Sequence, residues 1–206
     1  MTNTHAINDH YRNHQLDALH EETFSKTVFG FWLYLMTDCL LFGTLFCTFA
    51  VLHAQTFGGP PPKEIFSLPL VFLETMILLV SSVTSGFAIL ACVKNKQPQV
   101  TFWLLITFVL GLLFLAIEIT EFKDLIQEGN SFQRSAFLSS YFTLVGTHGL
   151  HIFFGLLWLV VMIAQLYKFG ITIETFRRLV IFSMFWHFLD LVWIFIFTFV
   201  YLLGVI

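Results

Sequence analysis

Ala136 to Tyr167 reads AFLSSYFTLVGTHGLHIFFGLLWLVVMIAQLY and contains no Lys, Arg, Asp or Glu. A bilayer core about 30 Å thick is crossed by roughly 20 helical residues, so this run is long enough to span it with tilt. Lipid offers no hydrogen-bond partners, so every backbone N–H and C=O must be satisfied inside the segment, and that selects a helix. Yet the run carries Thr147-His-Gly-Leu-His151, with His148 and His151 at i, i+3 and Gly155 on the same face. A polar side chain in hydrocarbon is costly unless paired, and a small residue lets a neighbouring helix come close. A second stretch answers it in the last apolar run: Phe185-Trp-His-Phe-Leu-Asp-Leu-Val-Trp193, with His187 and Asp190 again at i, i+3.

Working outward, five apolar runs cover about residues 28–52, 68–93, 100–119, 136–167 and 179–206. Each is long enough to cross a bilayer, and no β-barrel alternation is visible. The expected fold is an all-α integral membrane protein, a bundle of five transmembrane helices behind a polar tail, residues 1–27. Gly58-Gly-Pro-Pro-Pro62 reads as a stiff turn, and Lys94-Asn-Lys-Gln-Pro98 as a tight link. Short links make successive helices antiparallel neighbours. Lys and Arg divide seven (Arg12, Lys26, Lys94, Lys96, Lys168, Arg177, Arg178) against three (Lys63, Lys123, Arg134) between the two sides. The positive-inside rule then places the N-terminus in the cytoplasm and, after five crossings, the C-terminus in the periplasm.

Composition agrees. Of 206 residues, 57% are hydrophobic and 11% charged, against roughly 25% charged in a soluble domain. The net charge of −3 argues against a nucleic-acid partner. Cys39, Cys47 and Cys92 lie in apolar runs without a CxxC, which points to packing rather than a disulfide or zinc. The polar, acid-bearing first 27 residues do not resemble a cleavable signal peptide. His5, His10, His14 and His20 are irregularly spaced and read as part of a solvated tail.

The polar residues within the spans are the candidate site. Tyr34 stands one turn before Asp38, where its hydroxyl can partner the carboxyl. Glu74 shares one face with Ser81, Ser82 and Ser85. Glu118 lies near the end of the third run, with Glu121 beyond it and Thr107 and Gly111 continuing its stripe. His148, His151, His187 and Asp190 complete the set. No Lys or Arg lies deep in the spans, so the acids are expected to be neutral or paired with histidines and hydroxyls. Interhelical packing, proton relay and lipid-headgroup binding are the readings open to each. A metal ion is not expected, because the three histidines lack a completed ligand set with second-shell support.

These motifs resemble the subunit III family of haem–copper terminal oxidases. Val145-Gly-Thr-His-Gly-Leu-His151, Phe185–Trp193, Ala116-Ile-Glu-Ile-Thr-Glu-Phe122 and Phe29-Gly-Phe-Trp-Leu-Tyr-Leu-Met-Thr-Asp38 occur in the family's order. The five-helix count, the Gly58-Gly-Pro60 turn and the Glu74–Ser82 segment are most similar to the branch found in bacterial bo-type ubiquinol oxidases. Asp38 falls where that family carries a carbodiimide-reactive acid, which is Glu in many cytochrome c oxidases. The resemblance implies a multi-pass subunit of the bacterial inner membrane, non-catalytic within a proton-pumping ubiquinol:oxygen oxidoreductase. It implies direct packing on subunit I, association with subunits II and IV, and bound phospholipid. Haem b, haem o and copper would belong to subunit I and no redox centre to this chain. Two alternatives stay open: a subunit III of a bacterial cytochrome c oxidase or of a nitric-oxide-reductase-associated complex, and a stand-alone transporter or proton channel.

Overall fold

The computed structural model describes residues 2–53, 55 and 68–202, and for residues 2–21 the backbone alone. The turn at Gly58–Pro62 and the last residues of the fifth run, 203–206, lie outside the described residues. Five long helices account for nearly all of the rest: α1 (Thr2–Leu52), α2 (Leu68–Val93), α3 (Gln97–Gln127), α4 (Ala136–Phe169) and α5 (Ile173–Ile196). A π-helical stretch, Phe197–Leu202, continues α5. Among the described residues, all five contain segments long and apolar enough to cross a membrane.

Contacts divide the chain into two units, Met1–Asp38 and Cys39–Ile206. In the first, the backbone expected to be a polar tail is helical over its described length. Residues 2–27 hold no Gly or Pro to interrupt it. Lys26 pairs with Glu22 one turn back at 2.7 Å, and Thr27 donates to the Thr23 carbonyl at 2.8 Å.

In the second unit, α2, α3, α4 and α5 close into a ring in chain order. α2 packs on α3, α3 on α4, α4 on α5, and α5 back on α2. The helix ends are set by local chemistry. Pro98 stands in the first turn of α3, where its missing N–H costs nothing. The Ser135 hydroxyl accepts from Leu138 N at 3.1 Å, and the Thr172 hydroxyl from Thr175 N at 3.1 Å, capping α4 and α5. Gly129 and Gly170 follow α3 and α4 at φ 81° and 69°, a region that favours glycine and stops the helix.

Two spans extend past their expected bounds. α3 continues beyond 119 to Gln127, because Leu125 still turns inward and is buried among the charged residues around it. α5 begins at Ile173 rather than 179, because Thr172 caps it before the apolar run starts.

Between helices in lipid there is little hydrophobic drive, so close packing and hydrogen bonds hold them together. The tightest packing is around Trp186, 1% exposed. A Cβ on Gly111 of α3 would stand 2.9 Å from Trp186 Cη2, and one on Gly155 of α4 would stand 2.9 Å from its Cζ3. The indole therefore lies in a notch made by two glycines on two helices. The carboxyl-terminal part of α1 meets the ring through Phe42, Phe46 and Phe49. These rings face His148 and His151, Phe195 and Phe199, and Phe137 respectively. Large apolar side chains such as Phe102 and Phe154 point outward, as a lipid-facing surface requires.

A rigid indole cannot yield to an added methyl. Gly155→Ala is expected to destabilise the solubilised protein by about 1–3 kcal/mol, the usual effect of overpacking. Gly86→Ala, where nothing lies within 4 Å, is expected to be neutral or stabilising. Denaturant titration in mild detergent would compare the two.

Candidate functional site

A column of polar side chains runs through the otherwise apolar interior of the ring. On α2, Glu74, Thr75, Ser81, Ser82, Thr84 and Ser85 are all buried, so one face of a spanning helix carries acid and hydroxyls into the core. Most of these hydroxyls donate to a carbonyl of their own helix: Thr75 to Val71 at 2.8 Å, Ser81 to Leu78 at 2.7 Å, Thr84 to Ser81 at 2.8 Å. That leaves oxygen lone pairs free to accept. Trp193 Nε1 donates to Thr75 Oγ1 at 3.1 Å, and Trp186 Nε1 to Ser81 Oγ at 3.0 Å. The tryptophans are seven residues apart on α5 and their acceptors six apart on α2, so at about 1.5 Å per residue the two antiparallel helices match in register. Thr84 and Thr107 share a further bond of 2.8 Å between α2 and α3.

The expected site residues divide among several roles. Tyr34 and Asp38 stand one turn apart on α1 and interact electrostatically. Glu118 of α3 is 3% exposed and lies against the backbone of α4, where a Cβ on Gly149 would stand 2.8 Å from its Oε1. Tyr141 donates to Glu121 at 3.4 Å and shares a 2.9 Å bond with Tyr201 of the π-helical end. Glu74 is fully buried, with Glu121 among its electrostatic neighbours. His148 is also fully buried, held in a box of rings: Phe114 at 6.0 Å, Trp193 at 5.2 Å and Phe42 at 6.3 Å between centroids. His151 Nδ1 bonds its own-helix Thr147 carbonyl at 2.7 Å, and His187 Nδ1 the Ser183 carbonyl at 2.6 Å. Asp190 is buried beside Ser82 and His187, while His187 is exposed at the surface of the bundle.

The pairing of acids with histidines is not what Glu74, Glu118 and His148 do. Both carboxyl oxygens of each acid and both ring nitrogens of His148 lack a hydrogen-bond partner among the described residues. The interhelical bonds join Trp186 to Ser81, Trp193 to Thr75, Thr84 to Thr107, and Tyr141 to both Glu121 and Tyr201. Ser81, Thr107 and Glu121 were named in the polar stripes of the sequence, and the tryptophans, Thr75, Thr84 and the two tyrosines were not singled out as site residues. The available signal was two tryptophans seven apart on α5 facing a hydroxyl stripe of matching length on α2.

Haem or copper would need convergent donors. Among the described residues, no three His, Cys, Asp or Glu come together to hold a metal ion, and His148 is enclosed by aromatic rings. The described residues of this chain do not fit those groups.

Apolar exteriors around a column of interhelical polar contacts define a multi-pass helical membrane protein. Residues 2–205 match the sequence model of the family described as cytochrome c oxidase subunit III, and the chain belongs to that family. It is 52% identical to cytochrome bo(3) ubiquinol oxidase subunit 3 of Pseudomonas aeruginosa, over 99% of this chain and 97% of that protein. The protein of the same name from Pseudomonas putida is 54% identical over 87% of each chain. A cytochrome c oxidase subunit 3 from a Bacillus species is 44% identical over 86% of each.

A double-mutant cycle tests the α2–α5 contact. Trp193→Phe and Thr75→Val are expected to couple by about 0.5–1 kcal/mol, the usual range for a polar contact between membrane helices. Unfolding free energies of the two single variants and the double variant would measure it.

Proposed function

We propose that this chain is the third subunit of a bacterial ubiquinol oxidase of the bo type, a supporting subunit without a redox centre of its own. The observation that carries the reading is the 52% identity to a ubiquinol oxidase subunit 3 across nearly the full length of both chains. The site agrees with a supporting role. Its tryptophans, threonines and tyrosines are engaged in holding helices together, and its acids and His148 are enclosed within the bundle. In the assembled oxidase the subunit packs on subunit I, which carries haem b, haem o and copper, beside subunits II and IV. Phospholipid lies against its apolar helix faces. The chain sits in the bacterial inner membrane with its N-terminus in the cytoplasm and its C-terminus in the periplasm. Asp38, one turn from Tyr34 on α1, is the candidate for carbodiimide reaction.

A tag on this subunit would test the assignment. Purification in mild detergent is expected to bring b- and o-type haem and ubiquinol-driven oxygen uptake with it. Co-purification of cytochrome c oxidation instead would move the chain to the sister complex suggested by the Bacillus relative. A stable haem-free protein that transports ions in liposomes would overturn the subunit reading. Within the complex, His148→Phe is expected to lower assembly yield or turnover lifetime without altering the haem spectrum. Loss of haem from an otherwise fully assembled complex would contradict a purely supporting role.

A further inference from the structure

Four elements of the Cys39–Ile206 unit meet at one end of the helical ring. There α2 starts, α3 finishes, α4 starts and the π-helical stretch finishes. Glu74 is six residues into α2, Glu121 six residues before the end of α3, and Tyr141 five residues into α4. At about 1.5 Å per residue, all three lie at nearly the same depth, roughly 7–9 Å from that end. Tyr201 joins them through its 2.9 Å bond to Tyr141, and Glu118 lies one turn deeper. The groups feel one another electrostatically: Glu118 with Glu74 and Glu121, and both tyrosines with Glu74 and Glu121.

Three features separate this cluster from interhelical packing. First, five carboxyl oxygens (both of Glu74, both of Glu118 and Oε2 of Glu121) are buried without a hydrogen-bond partner among the described residues. Buried polar atoms in folded proteins are almost always satisfied, by protein or by ordered water. Second, the side chains gathered here are acids and tyrosines, and none of the three acids forms an ion pair with a described Lys or Arg. Three acids without a cation repel if ionised, and hydroxyls or amides would join helices better. Third, α4 makes room for Glu118. Gly149 has no side chain where the Glu118 carboxyl lies, and a Cβ there would stand within 2.9 Å of both its oxygens.

We infer that this end of the bundle is an internal proton-binding site, in which ordered water bridges Glu74, Glu118 and Glu121 and the acids share protons with that water. Tyr141 and Tyr201 extend the hydrogen-bonded chain from Glu121 to the π-helical end of the protein. A proton taken up by the cluster comes from water and returns to water. Only O–H bonds form and break, and no electron moves. Charge balance comes from the protons on the acids themselves. Water supplies the donors that the orphaned oxygens lack.

Infrared difference spectroscopy on the full-length chain, with whatever subunits accompany it in mild detergent, tests the site. A protonated-carboxyl C=O absorption is expected at neutral pH, with a downshift on exchange into D2O. Glu74→Gln and Glu118→Gln are each expected to remove part of that band, and Tyr201→Phe to shift its frequency without removing it. Three results would overturn the inference. A missing band at neutral pH would mean ionised acids balanced by a cation. A band that never exchanges with D2O would mean a dry interior. A band untouched by the glutamine variants would place the protonated acid elsewhere, at Asp38 or Asp190. The wild-type exchange measurement decides between wet and dry even if a variant fails to fold. The inference concerns only this chain's interior, so a chain that co-purifies with a different oxidase, or with none, leaves the infrared outcome unaffected.

Discussion

Two indole N–H groups determine how the bundle closes. α2 and α5 are distant in sequence, and they are the pair that turns a row of antiparallel helices into a ring. Their relative height is fixed where Trp186 meets Ser81 and Trp193 meets Thr75. A slide of one helical turn, about 5.4 Å, would break both bonds at once and strand two N–H groups in a medium with nothing to accept them. The same indole of Trp186 fills the gap left by Gly111 and Gly155, so the α2–α5 register also sets how closely α3 and α4 approach α5. Phe114, stacked edge-on against both Trp193 and His148, carries that constraint on to the buried histidine.

The exterior of the bundle is apolar and its mostly apolar interior holds a stripe of buried polar groups, which differs from a soluble protein, but the underlying rule is unchanged. Polar groups go where a partner exists. In water the partner is solvent, and in hydrocarbon it is another helix. The hydroxyls of α2 meet this demand twice, donating along their own helix and accepting across to α5. Membership of an oxidase subunit III family suits such a construction, since a supporting subunit needs a stable interior and a surface compatible with lipid and neighbouring chains.

Much of the fold was legible in the sequence. Run length and the absence of charge located five spans, and the polar stripe of Glu74, Ser81, Ser82 and Ser85 does turn inward as its spacing required. What stayed hidden has physical causes. Helix ends depend on caps such as Thr172 and on single inward residues such as Leu125, neither of which hydropathy registers. Partner choice was less legible still. The rarity of a histidine or acid in a span drew the eye to His148 and Glu118. Tryptophan and threonine pass as apolar filler until the three-dimensional register shows their N–H and O–H groups facing one another. His148 illustrates the difference: its surroundings are rings from three other segments, Phe42, Phe114 and Trp193, each far away in sequence.

The π-helical stretch at Phe197–Leu202 adds one residue to the turn it replaces. Each helical residue advances the side-chain direction by about 100°, so that extra residue decides which way everything after it points. Tyr201, fully buried and bonded to Tyr141, lies within this stretch. The segment is therefore sensitive to length as well as composition. Removing one residue would restore an ordinary pitch and turn the tyrosine by about 100° away from its bond to Tyr141, even though every remaining residue kept its identity. Among related chains, insertions and deletions in this last turn should be far rarer than substitutions on its lipid-facing side.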